Sequence, residues 1–185
     1  MPILPEETAQ FPAGLLESPP HGLNSRQWWA VYTKARQEKA LARELLRLEI
    51  PFYLPLVAKT LVRRGRRLKS LIPLFSGYVF LCASEEERLR SLATNRISKV
   101  IPVTDQVQLF RDLRQVRQLI EAGAPLTVES RLTAGKRVRI RSGALMGLEG
   151  IVEGRRGACR LVVAVTFLQQ GVSVEIDDFT AEPLD

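Results

Sequence analysis

The chain has 185 residues and a mass of 20.8 kDa, room for one ordinary domain or two small ones, which excludes a large multi-domain enzyme. Its 27 Lys and Arg against 20 Asp and Glu give a formal charge of +7 and a pI near 9.9, and with 45% hydrophobic residues this is a folded basic chain, suited to a polyanionic neighbour. His21 is the only histidine and Cys82 and Cys159 form no CxxC, which argues against a structural zinc site, a disulfide framework and a histidine-dependent hydrolase.

Residues 1–24 hold five prolines and three acids, no Lys or Arg, and no apolar period, and are expected to be a disordered leader. No basic segment followed by an apolar core opens the chain, and no stretch approaches the ~18 apolar residues of a membrane span, so the expected location is the cytoplasm, without a membrane partner. Residues 25–134 carry 20 basic and 10 acidic residues and residues 135–185 seven of each, so the net positive charge lies in the middle.

Trp28-Trp29-Ala30-Val31-Tyr32-Thr33 reads as a strand, and a helical period follows from about Ala35 to Glu49. Leu41, Leu45 and Leu48 make one apolar stripe; Arg36, Lys39, Arg43 and Arg47 recur on the other side, with Lys34 just before them. That basic side is either a solvated face or one that tracks phosphates. Pro51 ends the helix, and Phe52 to Val57 is an extended apolar piece. Lys59, Arg63, Arg64, Arg66, Arg67 and Lys69 then crowd around Gly65 with no acid among them, the pattern of a basic β-hairpin tip. Such self-repulsion is relieved by an anion, nucleic-acid phosphate being the commonest; a merely solubilising loop is the other reading.

Tyr78 to Cys82 is the next strand, with Tyr78, Phe80 and Cys82 on one face and Val79 and Leu81 on the other. It is either buried on both sides or exposes Tyr78 and Phe80 as a docking patch. A short helix from Ser84 to about Ala93, a strand from Lys99 to Val103 and an amphipathic helix from Val107 to Glu121 complete an α+β sandwich, an antiparallel sheet flanked by helices. Residues 122–134 read as a linker. Beyond them β-branched runs punctuated by Gly143, Gly147 and Gly150 predict a small closed all-β barrel over 135–185; without a following GK[ST] these glycines make turns rather than a phosphate loop. No convergent acid, base and nucleophile set occurs, so no enzyme, cofactor or metal is expected.

Three stretches in this order resemble the NusG-like transcription elongation factors, which have an NGN domain followed by a KOW domain: Trp28 to Glu38, Pro73 to Leu81, and Gly135 to Ile140 with Gly143, Gly147, Glu149 and Gly150. The resemblance implies an NGN domain over 25–121 and a KOW domain over 135–185. It implies that Tyr32, Phe75, Tyr78 and Phe80 form an apolar pocket on the clamp helices of RNA polymerase, and that Lys34, Arg36, Arg43 and Arg96 meet the non-template DNA strand. It also implies that Leu145 and Leu148 are exposed loop residues through which the KOW domain recruits a small-subunit ribosomal protein or Rho. Such a factor suppresses pausing by biasing its partner between two states. Ser76 where the family commonly has Pro, and a proline-rich leader, resemble the specialised paralogues that act as antiterminators more than the housekeeping factor. The reading of a different class is a ribosome-associated KOW-type RNA-binding protein, which the neutral C-terminal segment disfavours.

Overall fold

The computed structural model describes residues 7–19, 25–129, 135–155, 158–176 and 181–184, except the side chains of Leu61, Arg63, Arg155 and Ala158. The chain divides into two compact units, Met1–Gln106 and Val107–Asp185.

In the first unit, β1 (Gln10–Phe11), β2 (Gln27–Thr33), β3 (Phe52–Tyr53), β6 (Tyr78–Ala83) and β7 (Ile97–Pro102) form an antiparallel sheet in the order β1-β3-β6-β2-β7. Period-two alternation sends Val31, Phe52, Val79, Leu81 and Ala83 to one face, where α1 (Glu38–Arg47) covers them with Leu41, Ala42 and Leu45. Each Leu or Val so buried contributes about 2 kcal/mol relative to exposure. Trp28, Ala30, Phe80 and Cys82 point to the other face and are also fully buried. β6 is therefore buried on both sides along all but Tyr78, the simpler of the two alternatives its apolar pattern leaves open.

Helix α2 (Glu85–Leu92) starts on a capping box: Ser84 Oγ accepts from the Glu87 backbone N–H (3.3 Å) and Glu87 Oε2 accepts from the Ser84 N–H (2.9 Å). Arg26 clamps the same carboxylate from outside (2.6 and 2.9 Å), tying the entry of β2 to α2. β4 (Leu56–Arg63) and β5 (Arg66–Pro73) form a separate two-stranded ribbon, the hairpin expected around Gly65.

The expected disordered leader does not hold for residues 7–19. Gln10 and Phe11 pair with Tyr53 and Phe52, and Leu15 and Leu16 are buried. A two-residue strand followed by a turn has no period to read, and its order comes from the edge of β3, far along the chain. The other leader residues lie outside those described.

The second unit contains α3 (Gln106–Glu121), apart from its first residue, and the antiparallel strands β8 (Leu126–Glu129), β9 (Lys136–Ile140), β10 (Glu149–Arg155), β11 (Ala158–Val165), β12 (Gln170–Ile176) and β13 (Ala181–Pro183), in the order β13-β9-β10-β11-β12-β8. The sequence reading assigns α3 to the N-terminal domain; the division of the chain groups it, from Val107 on, with the second unit, to which three hydrogen bonds join it. Asp112 accepts from the Thr166 N–H (2.9 Å), Gln115 from the Glu149 N–H (2.8 Å), and Gln118 donates to the Met146 carbonyl (2.9 Å). An amphipathic stripe tells that a face is buried, not against what.

The expected linker 122–134 contains β8, paired to β12 with the buried Glu129 accepting from Ser173 Oγ (2.6 Å); residues 130–134 lie outside those described. A closed barrel is not formed among the described residues, because β13 and β8 each have one neighbour and are the two edges of an open sheet. The β-branched runs expected to be strands are strands, Val162 to Val165 in β11 and Val172 to Ile176 in β12.

Candidate functional site, an aromatic pair beside a basic cleft

Tyr32 is the exposed end of the otherwise buried Trp28–Ala30 face of β2 and stands opposite Tyr78 in the β2–β6 register. Their rings meet edge to face, with centroids 5.2 Å apart and an interplanar angle of 63°. Tyr32 is 44% exposed and Tyr78 half-buried. The turn between β5 and β6 sets this pair: Gly77 has φ +84°, its carbonyl accepts from the Thr33 N–H (2.8 Å), and its N–H donates to the buried carboxylate of Glu38 (2.7 Å). A Cβ at Gly77 would lie 2.6 Å from the Tyr32 ring, so only glycine suits both the backbone and the close approach. Ser76, beside it, is exposed.

Phe75 and Phe80, expected to share an exposed pocket with the tyrosines, are 1% and 0% exposed. Phe80 lies across from Ala30 on one side and Tyr53 on the other, in the middle of the sheet. The exposure expected of four aromatics therefore belongs to Tyr32, and in part to Tyr78.

The four cations expected to meet DNA fall into two pairs, Lys34 with Arg96 where β2 runs into α1, and Arg36 with Arg43 along a cleft. The Lys34 N–H donates to the Arg96 carbonyl (2.9 Å) and its Nζ donates to Asn95 (2.7 Å); Arg96 donates to Gln37 (2.5 Å) and approaches Glu44 at 3.9 Å. Arg36 has φ +57°, is exposed, and makes no hydrogen bond or ion pair among the described residues. Arg36, Lys39 and Arg43 line a cleft of about 530 Å³ with Glu7, Ile72 and Ser76.

The basic stripe of α1 is not bare. Glu7 reaches Arg43 at 2.8 Å and Lys39 at 3.9 Å, and Arg47 is paired with Glu44 at 2.6 Å, a contact that holds the Glu44 carboxyl below its ordinary range. Sequence reasoning missed Glu7, Glu38 and Gly77. Glu38 carries a legible signal, an acid in the first turn of a helix, but its partner is thirty-nine residues away.

Of the ribbon cations, Lys59, Arg64, Arg66, Arg67 and Lys69 are exposed, while the Arg63 side chain lies outside the described ones. In the second unit, Gly143 (φ +81°) and Gly147 (φ +85°) turn the chain between β9 and β10. Of the two leucines expected to be exposed, Leu145 is half-buried and Leu148 is fully buried: the Ile140 N–H donates to its carbonyl (2.9 Å) and its side chain belongs to the core. Met146 is the exposed apolar residue of this turn, at 62%.

A family profile described as transcription termination factor nusG matches residues 26–134. No curated protein matches the chain. Among solved structures, the chain is similar to the NusG of Thermotoga maritima, seen in a study of its domain interaction, with 17% identity over 86% of this chain and 98% of that one and a TM-score of 0.44. It is also similar to a chain of the MjSpt4:Spt5 complex, with 14% identity over 85% of this chain and 97% of that one and a TM-score of 0.30.

Proposed function

From the premise that this chain belongs to the NusG family, and is thus of the transcription-factor kind, we propose that it binds RNA polymerase through the Tyr32–Tyr78 lip of its first unit and promotes processive elongation. The observation that carries the reading is the solvent-facing aromatic pair, held from beneath by the Gly77 turn and Glu38, next to a cluster of cations. Rigid aromatics with a polar tip make good interface anchors, and the polymerase clamp helices are the surface they fit. Phe75 and Phe80 support the lip from within the fold.

Lys34, Arg36, Arg43 and Arg96 would face the non-template strand of the elongation complex. Their contacts go to phosphate, so they position the protein, add salt-sensitive affinity and carry little sequence information. Binding that favours the closed, active state of the polymerase over the paused one shifts its population without any chemistry by this chain. Suppressed pausing and antitermination are the outcomes of that shift.

The second unit has the role of the KOW domain, recruiting a small-subunit ribosomal protein or Rho through the turn that carries Leu145 and Met146. The family match ends at residue 134, so this role rests on the glycine-turned strands and the exposed Met146. The test is pause-resolved transcription by a bacterial elongation complex with and without the protein: shorter pauses support the reading, and unchanged pause lifetimes at saturating protein oppose it.

A further inference from the structure

β4 and β5 pair over eight rungs, from Leu56↔Pro73 at the base to Arg63↔Arg66 at the tip, and Arg64-Gly65 makes the turn with both residues at positive φ. At about 3.4 Å per residue this ribbon is roughly 25 Å long. Its base is anchored by the buried Leu56; beyond the Val57↔Ile72 rung, the described side chains from Ala58 to Lys69 are all exposed, Val62 at 71% and Leu68 at 50%.

Cross-strand partners share a face and successive rungs alternate, so the register sorts the cations. Lys59 and Arg66 lie on one face, Arg67 and Lys69 on the other, and Arg64 stands at the tip. The side chains of these five have no hydrogen-bond or ion-pair partner among the described residues, and no Asp or Glu occurs between Glu49 and Glu85. A ribbon meant to lie flat on an anionic surface would carry its charge on one face. This one carries it on both.

Two anionic walls about 12 Å apart are what the major groove of B-form DNA offers, and the groove admits a two-stranded ribbon. Set on edge between them, a ribbon with side chains on both faces reaches phosphates of both strands. The major groove of an A-form RNA duplex is too narrow for it. Single strands are held by aromatic stacking, and residues 56–73 contain no aromatic. We infer that the β4–β5 ribbon is a groove-inserting arm for double-stranded DNA, gripping the two phosphate walls with opposite faces. This grip does not depend on the polymerase contact.

The test measures binding of the full chain to a 30-base-pair DNA duplex, the corresponding single strand, an RNA duplex of the same sequence, and anionic phosphatidylserine vesicles, over a range of salt. Four proteins are compared: the unaltered chain, Lys59→Ser with Arg66→Ser, Arg67→Ser with Lys69→Ser, and all four substitutions together. Tyr32→Ala serves as the control for the polymerase surface, and thermal melting confirms folding. The inference predicts that duplex DNA binds tightest. Either pair lowers the salt slope of binding by about 2 and all four lower it by about 4, one unit for each phosphate that is no longer neutralised, while Tyr32→Ala has no effect. Loss confined to one face, equal binding of single strand or RNA duplex, or tighter binding to vesicles overturns it.

Discussion

Tyr32 and Tyr78, cross-strand neighbours at the end of β2 and the start of β6, meet edge to face at 5.2 Å above a glycine that leaves no space for a methyl group. The pair is thus fixed by backbone as much as by ring packing. Tyr32→Ala or Tyr78→Ala should each weaken polymerase binding by about 1–2 kcal/mol, and the double substitution by less than the sum, because each ring positions the other. Gly77→Ala should mimic Tyr32→Ala while leaving the Tyr32 side chain in place. Affinity for a purified elongation complex checks all four.

Arg36 is an L-residue in the left-handed region, a conformation Asn tolerates better. Arg36→Asn should therefore leave thermal stability within about 0.5 kcal/mol of the unaltered chain, while DNA affinity at low salt falls several-fold and its salt slope drops by about one unit. Paired melting and binding curves separate a cation kept for binding from one kept for structure.

Glu7 pairs with Arg43 and Lys39, and on the proposed DNA contact it competes there with a phosphate. Glu7→Gln removes that competitor and should raise DNA affinity a few-fold at low salt, with the gain vanishing at about 0.5 M salt as screening removes the electrostatic difference. Titration at the two salt concentrations tests it.

The bond from Arg26 holds the Glu87 carboxyl below the ordinary glutamate range and raises the Arg26 guanidinium. Because the folded carboxyl is the stronger acid, the stabilisation is present above the unfolded-state pKa and is lost as pH falls through the folded one. Denaturant midpoints should drop through the acidic range in the unaltered chain and drop less in Glu87→Gln. Ser84→Ala, which removes the other half of the cap, should cost about 1 kcal/mol at neutral pH.

Burial pushes the Cys82 thiol up to about 11, so it should resist a thiol reagent at neutral pH until the chain unfolds. Labelling with and without denaturant reads this directly.

In the second unit, Leu148→Ala should destabilise by about 2–4 kcal/mol as a core truncation, whereas Met146→Ser should change stability by less than about 0.5 kcal/mol. Thermal melts of the two variants separate the core residue from the surface one, and capture of a small-subunit ribosomal protein or Rho should respond to Met146→Ser.

Much of this architecture is legible in residue order alone. The leucine spacing of α1, the short helix beginning at Ser84, the hairpin around Gly65 and the β-branched strands of the second unit all follow from local periods and turn chemistry. What stays hidden is set by long-range contacts. Leu15 and Leu16 carry no period, yet residues 7–19 are ordered through the edge of β3. The stripe of α3 is visible, but the hydrogen bonds by which Asp112, Gln115 and Gln118 join it to the second unit reach partners 28 to 54 residues away.

Of the expected site, the sequence tells which residues are basic or aromatic but not which of them face solvent. Lys34 and Arg96 are neighbours, Arg36 and Arg43 line one cleft, and Tyr32 faces solvent. The burial of Phe75 and Phe80 is a matter of what lies over a sheet face, which a period of two leaves undetermined. Leu145 and Leu148 look alike as apolar loop residues, but the Gly147 turn carries the second into the core and leaves Met146 outside.

The central claim, that the Tyr32–Tyr78 lip docks on RNA polymerase, is tested most directly by co-migration of labelled protein with a reconstituted bacterial elongation complex at moderate salt, alongside naked duplex, single strand and RNA. The account predicts selective migration with the complex, and for Tyr32→Ala a loss of about fivefold or more with naked-duplex binding unchanged. Equal binding of free RNA and complex, with Tyr32→Ala indistinguishable from the unaltered chain, would contradict it and favour a ribosome-associated RNA-binding protein.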